Sequence, residues 1–386
     1  MKKSFADILS DMDTAQNRKL ASKLPSWAAA KCSAPSRLAL EQCSSETAAR
    51  YKAGLVAAGG EAPALTDITG GMGVDSWAFS QVCSKVLYNE RESSLFNATR
   101  RNFERLGVSN VEFSCRDSES KDFTEQIRLF KPDWIFADPA RRAADGSGRK
   151  VFRLEDCTPN ILALLPTLLG NARHVMLKLS PMADIRMVTS QLSGIKEVHV
   201  VGVDGEVKEI LCILERGRSG RWPVKAVSLK SSPEGEYRAD VTEFTLNDET
   251  ASQMKTAPEP VPGQILFEPS SILLKAGCFK LLCERFKMLK LERSTHLYIL
   301  PEGFSSHVPD GKTFRIVGVS PLSKASLKEF GARYPDSDVT ARNIPMTSEE
   351  LRSHLHVKGG GAHHIWGVCT AASGNLLIAT EPLLGE

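Results

Sequence analysis

From residue 63 onward the apolar positions fall into two alternating kinds of stretch. Pro63, Ala64, Leu65 and Ile68 make a short apolar run that reaches a glycine-dense turn, Gly70-Gly71-Met72-Gly73. Val74, Trp77, Ala78, Val82 and Val86 then recur at helical spacing, and Val86-Leu87-Tyr88 is a second apolar run that ends on Asn89-Glu90. This predicts strand, loop, helix and strand, one βαβ unit of a nucleotide-binding sheet. The alternation continues with a helix over 92–106 ending near Gly107, a strand over Val111–Cys115 and a helix over 123–130. A strand at Trp134–Ala137, a helix around 159–169, a strand at His174–Leu179 and a helix at Asp184–Leu192 follow. Such alternation means a parallel sheet covered by helices on both faces. Its last pair differs: Val198–Val203 and Val207–Leu214 flank Asp204-Gly205, a two-residue hairpin signal. The sheet is therefore expected to end in an antiparallel strand.

On either side of this region the pattern changes. Residues 1–60 read as a helical extension, with a helix end and turn at Lys23-Leu24-Pro25-Ser26-Trp27 and a capping signature at Ser44 or Ser45 before Glu46. Residues 61–217 form the α/β domain. Arg218-Ser219-Gly220-Arg221-Trp222-Pro223 is a basic, turn-rich joint opening a linker and a small α+β subdomain of ferredoxin-like size over 218–312. An amphipathic helix is predicted over about 271–286, and a last α+β domain over 313–386. Residues 275–293 carry Lys275, Lys280, Arg285, Lys287, Lys290 and Arg293 against Glu284 and Glu292, a basic tract.

The glycine turn carries the first chemistry. Glycine at 70, 71 and 73 permits positive φ and close approach of backbone to a ligand. A dinucleotide pattern G-x-G-x-x-G fails, because its third glycine falls on Ser76, and no Gly-Lys-Ser/Thr follows for a phosphate loop. Instead an acid precedes the glycines, in Asp67-Ile68-Thr69-Gly70-Gly71-Met72-Gly73. In this the chain resembles class I S-adenosylmethionine-dependent methyltransferases, whose Rossmann-like seven-stranded sheet ends in an antiparallel strand. The resemblance implies that Asp67 reaches the methionine amine through the loop, Glu90 holds the ribose and Asp117 accepts from the adenine amine. Thr69, Gly70, Gly71, Gly73, Asp75, Arg91 and Asp138 complete the expected cofactor set. Glu46, in the turn Ser45-Glu46-Thr47, is expected to close over the methionine end, with a plain helix cap as the alternative.

Asp138-Pro139-Ala140-Arg141 follows an apolar strand at the place where amino-methyltransferases carry D/N/S-P-P-Y/F/W. There a polar side chain accepts hydrogen bonds from an exocyclic amine and an aromatic ring stacks on the base. Asp138 is the candidate acceptor, with Pro139, Ala140 and Arg141 completing the catalytic motif. Ala140 stands in place of the second proline and Arg141 in place of the ring, a role Phe152 is a candidate to fill. Arg141, Arg142 and Arg153 belong to a basic rim and, with Phe152, Ser180 and Pro181, form the expected substrate-binding set. D-P-x-R also resembles uracil C5-methyltransferases, but Leu179-Ser180-Pro181-Met182 lacks the cysteine nucleophile they need.

Bulk properties narrow the picture further. The 386 residues are 42% hydrophobic and 25% charged, as in soluble globular proteins, and the net charge of +3 demands no polyanionic partner, so any nucleic-acid surface is local. Nine cysteines without a C-x-x-C pair read as reduced thiols, the N-terminal residues lack the apolar core of a signal peptide, and no apolar run is long enough to span a bilayer. A cytoplasmic protein without a membrane partner is expected. His354, His356, His363 and His364 have no Cys or acidic partners at ligand spacing, so no metal is expected.

The segments 40–46, 67–75, 137–142, 153–157, 177–182 and Phe267-Glu268-Pro269 resemble a bacterial, Bacteroidetes-type group of class I methyltransferases whose C-terminal half carries a ferredoxin-like piece and a THUMP-like domain. The core is also similar to trimethylguanosine-synthase-type enzymes. These resemblances imply a structured RNA substrate (tRNA or rRNA), methylated on an exocyclic amine, with guanine N2 favoured. The alternatives are a non-catalytic RNA-binding protein with a degenerate core, suggested by Ala140-Arg141, and a methyltransferase acting on a protein or small molecule.

Overall fold

Largely buried strands and half-apolar helices build the first part of the chain. The computed structural model describes residues 15–141, 154–232, 236–303 and 308–383. They fall into two compact units, Met1–Val241 and Thr242–Glu386.

In the first unit the strands are β1 (Ala64–Asp67), β2 (Lys85–Asn89), β3 (Val111–Ser114), β4 (Trp134–Ala137), the short β5 (Ala140–Arg141) and β6 (Cys157–Thr158), and β7 (His174–Leu179). After them come β8 (Ile195–Val203), β9 (Glu206–Glu215), β10 (Val224–Ser231) and β11 (Tyr237–Phe244), whose residues from Thr242 on belong to the second unit. The main sheet runs in the order β11-β10-β8-β9-β7-β4-β1-β2-β3. β1, β2, β3, β4 and β7 are mutually parallel where they pair, and β9 is antiparallel to both β7 and β8. Asp204 and Gly205, with φ of 50° and 85°, make the turn that inserts β9 beside β7.

The expected seven strands with an antiparallel last member are therefore present. Two more, β10 and β11, extend the same sheet, so residues 218–241 join the α/β unit and do not begin the small subdomain. Every residue of β1 and β4 is buried; β4 reads as a continuous apolar run, while β1 ends on the polar pair Thr66-Asp67 at the mouth of the glycine loop. Strand order reverses at β1, between β2 and β4, and this opens a crevice beyond the carboxyl ends of the strands.

The N-terminal helices are part of this unit's core. Leu20, Leu24, Trp27 and Leu40 pack in one cluster with Trp77, Phe79, Val86 and Phe103. The Trp27 ring, fully buried, stands edge-on to both Trp77 and Phe103 at 6.3 Å. Of the two serines expected to cap a helix before Glu46, Ser45 does so: after the helix Arg37–Gln42, the helix Glu46–Ala57 opens with the Ser45 hydroxyl accepting from Ala48 N.

In the second unit β12 (Ile265–Pro269), β13 (Leu289–Lys290), β14 (Tyr298–Ile299), β15 (Gly311–Pro321), β16 (Asp336–Arg342), β17 (Lys358–Thr370) and β18 (Gly374–Pro382) form one sheet. Its order is β13-β14-β12-β15-β18-β17-β16, so one sheet runs through both of the α+β pieces expected from the pattern. The helix predicted over 271–286 is broken: Gly277 takes φ of 84° and ends Ser271–Ala276, and Lys280–Arg285 begins afresh. The Glu249 carboxylate accepts from the Phe279, Lys280 and Leu281 amides and satisfies the new start. Part of the basic tract is spent inside the unit, since Lys290 is 2% exposed and donates to Arg293 O. Among the described residues no helix is long and apolar enough to cross a membrane.

Candidate functional site

The crevice at the strand reversal is a cavity of about 700 Å³. The loop after β1, the tips of β2 and β3, the Asp138-Pro139-Ala140 segment after β4 and the turn after β7 line it, together with Ala39, Gln42, Cys43 and Ser44 from the N-terminal helices. Of the residues singled out in the sequence, it gathers Asp67, Thr69, Gly70, Gly71, Gly73, Asp75, Glu90, Arg91, Asp117, Asp138, Pro139, Ala140, Ser180 and Pro181.

The glycine loop is held by its neighbours from both sides. Asp67 Oδ1 accepts from Thr69 N at 3.0 Å and Oδ2 from the Ser76 hydroxyl at 2.5 Å. A Cβ on Gly70 would meet the Tyr88 ring at 2.2 Å, and one on Gly73, where φ is 85°, would meet Thr99 at 2.4 Å. Neither position has room for a side chain. Tyr88 donates its hydroxyl to Gly71 O at 2.6 Å. Glu90 reaches across from the tip of β2: Oε2 accepts from Gly71 N at 2.9 Å and Oε1 from Glu92 N at 2.8 Å. Asp117, exposed, accepts from Glu119 N at 2.9 Å and shapes the next turn. Asp138 N donates to Thr69 Oγ1 at 2.6 Å, which ties the two motif loops together.

Asp67 is 1% exposed, and burial pushes its carboxyl up to about 7, against the lowering by Ser76 and Thr69. A cation brought near it favours the ionised form. Affinity for a cationic ligand such as S-adenosylmethionine is therefore expected to rise by roughly tenfold from pH 5.5 to pH 7, with proton release on binding. Calorimetric titration in two buffers of different ionisation enthalpy checks this, and a flat affinity over that range contradicts it.

Glu46 is not among the lining residues. Its carboxylate accepts from Ser26 N at 3.0 Å and from the Ser26 hydroxyl at 2.5 Å, and it pairs with Arg50 at 2.8 Å. The residue staples two helices, while its neighbour Ser44 turns to the cavity and donates to Asp75 Oδ2 at 2.8 Å. Arg141 is placed as a strand residue opposite Cys157. Arg142, Phe152 and Arg153 lie outside the described residues.

Three charged residues outside the expected set support the site: Lys178 lines the cavity, and Lys52 and Glu209 are buried behind Asp75. Lys178, inside β7, donates to Asp138 Oδ2 at 2.5 Å. Lys52, fully buried on the helix Glu46–Ala57, sits between Asp75 Oδ1 at 3.1 Å and Glu209 Oε1 at 2.6 Å. Burial alone would lower the Lys178 ammonium, but the carboxylates of Asp138, Asp75 and Glu209 hold it above the usual lysine range. For Asp75 burial is outweighed by Lys52 and Lys178, so its carboxyl is lowered; for Glu209 burial prevails and the carboxyl is raised. A signal was present for one of them: Lys178 interrupts the apolar stretch Val175–Leu179.

Two family descriptions match the second unit, a ferredoxin-like domain over residues 266–304 and a THUMP domain-like region over 311–382. No curated protein matches the chain. Among solved structures it is similar to one described as a "putative methyltransferase" from Porphyromonas gingivalis W83, at 29% identity and a TM-score of 0.85, over 96% of this chain and 89% of that chain. An rRNA methylase from Streptococcus thermophilus matches at 13% identity and a TM-score of 0.32, over 44% of this chain and 96% of that chain. A SAM-dependent methyltransferase from Agrobacterium tumefaciens matches at 15% identity and a TM-score of 0.33, over 53% of this chain and 61% of that chain. These last two are too distant to bear on function. The chain is a protein of the class I S-adenosylmethionine-dependent methyltransferase fold with C-terminal ferredoxin-like and THUMP-like domains.

Proposed function

We propose that the protein is an S-adenosylmethionine-dependent methyltransferase acting on an exocyclic amine of a structured RNA, guanine N2 being favoured. The observation that carries this reading is the meeting of two motif loops in one cavity. There the acid-anchored glycine loop, the Glu90 carboxylate and Asp138 face the same space, joined by the bond from Asp138 N to Thr69. The residues fit the cofactor: a cavity of about 700 Å³ suits a small-molecule ligand, and its carboxylates suit a cation bearing a ribose. Asp67 and the loop it holds would take the methionine end, Glu90 the ribose hydroxyls and Asp117 the adenine amine. S-adenosylmethionine supplies an activated methyl group, so the protein's task is chiefly positioning. Asp138 would accept hydrogen bonds from the target amine and aim its lone pair, while Ser180 and Pro181 border the same space. The THUMP-like region, through its resemblance to RNA-delivering modules, would present the RNA.

Glu90→Ala is expected to weaken S-adenosylmethionine binding by about 1–3 kcal/mol, through lost ribose contacts and a loosened Gly71. Calorimetry checks it, and unchanged affinity removes Glu90 from the cofactor site. The substrate class is tested by incubating the protein with labelled S-adenosylmethionine and unmodified tRNA and rRNA transcripts, then digesting the RNA to nucleosides. Label in N2-methylguanosine supports the reading; label confined to protein or small molecules overturns the RNA assignment.

A further inference from the structure

Asp138 and Lys178 form one rigid polar array in the cavity floor. Lys178 is 8% exposed and lies in the middle strands of the sheet, so its ammonium is held in place by the fold. It donates to Asp138 Oδ2 at 2.5 Å, and the side chain of Asp138 is 38% exposed. Both residues line the cavity. Oδ2 keeps a second lone pair after accepting from Lys178, and Oδ1 carries its own. An ammonium has three donors, of which Asp138 engages one. An incoming group therefore meets acceptor, acceptor and donor in sequence: Oδ1, Oδ2 and Nζ.

This order matters because planar bases differ in the order of their edge groups. The pairing edge of guanine offers donor, donor and acceptor, at N2, N1 and O6, the complement of this array. Adenine offers a donor at N6 and an acceptor at N1, so it engages two of the three positions and leaves one carboxylate oxygen without a partner. Cytosine, with one donor followed by two acceptors, is in the same position. A polar group in such a site left unpaired by the wrong ligand is penalised, which makes the mismatch selective.

We propose that Asp138 and Lys178 together act as a stand-in for the pairing partner of guanine, and that Lys178 is the residue that selects guanine by donating to O6. The inference rests on the methyl-transfer reading of the cavity and adds the residue that selects the base. It also gives a reason for the departure at Ala140-Arg141: recognition by edge complementarity relies less on an aromatic ring in the motif.

The test is nucleotide binding to the protein saturated with S-adenosylhomocysteine, using GMP, AMP, CMP and the monophosphate of 2-aminopurine riboside. The last keeps the C2 amine but lacks both N1–H and O6. Wild type is expected to bind GMP about tenfold or more tightly than the other three. K178M is expected to narrow that margin over 2-aminopurine, because the O6 contact goes while N1–H still meets Asp138, and to keep its affinity for S-adenosylhomocysteine, a readout that a general loss of structure would not spare. Equal affinities, a preference for AMP or CMP, or no nucleotide binding by a protein that binds S-adenosylhomocysteine overturns the proposal. Failure to bind S-adenosylhomocysteine overturns instead the reading on which it rests. Should K178M not fold, the wild-type preference alone decides.

Discussion

Asp138→Asn is expected to lower the rate of methyl transfer by on the order of 10²–10³-fold while leaving S-adenosylmethionine affinity within about threefold. The carboxylate offers acceptors on both oxygens, one of them already shared with Lys178. An amide replaces one acceptor by a donor. Either that donor meets the Lys178 ammonium, or it faces the hydrogens of the target amine. In both orientations the alignment of the amine lone pair is lost, while the glycine loop, tied through Thr69 to the Asp138 backbone, is untouched. Asparagine is the better probe than alanine because it keeps a carbonyl oxygen for Lys178. Single-turnover kinetics beside calorimetry separates the two effects, and retained turnover moves the catalytic site elsewhere.

Lys52→Met is the change expected to cost most in stability. Lys52 is wholly buried between Asp75 and Glu209, which are 9% and 2% exposed. Methionine fills the space but leaves two buried carboxylates without their shared cation. Breaking a buried pair in this way costs about 3–5 kcal/mol, far more than the intact pair contributes over an apolar replacement. For a unit of this size that lowers the Tm by roughly 6–20 °C. Adding Glu209→Met should recover part of the loss by removing one of the orphaned charges. A single variant that melts with wild type, or a double variant no better than the single, contradicts this account of the network.

What was legible in the sequence was what is local along the chain. The glycine loop, Asp67, Glu90 and Asp138 sit within a few residues of a strand end, and the Asp204-Gly205 turn fixes the antiparallel strand by itself. What was missed depends on partners far apart in sequence. Lys52 and Glu209 are 157 residues apart, and Lys178 and Asp138 are 40 apart, so only folding brings them together. Glu46 misled for a related reason. Its position beside the capping serine suggested the cofactor, yet Ser26 and Arg50 take its carboxylate and Ser44 faces the cavity. The pattern alone places residues 218–241 in the small subdomain, because the sheet that Val224–Leu229 joins is set by its pairing with Val198–Val203. The break at Gly277 was readable, since glycine is favoured just past a helix end, but the apolar periodicity ran through it. The basic tract shows the limit of counting charges: Lys290 and Arg285 are tied to backbone carbonyls inside their own unit.

The central claim, that the cavity holds S-adenosylmethionine, is tested most directly by calorimetric titration of the purified full chain with S-adenosylmethionine and, separately, with NAD. The account predicts micromolar binding of the first, with one site per chain, and none of the second. Binding of NAD, or of neither, contradicts it and turns the search for function to the C-terminal unit.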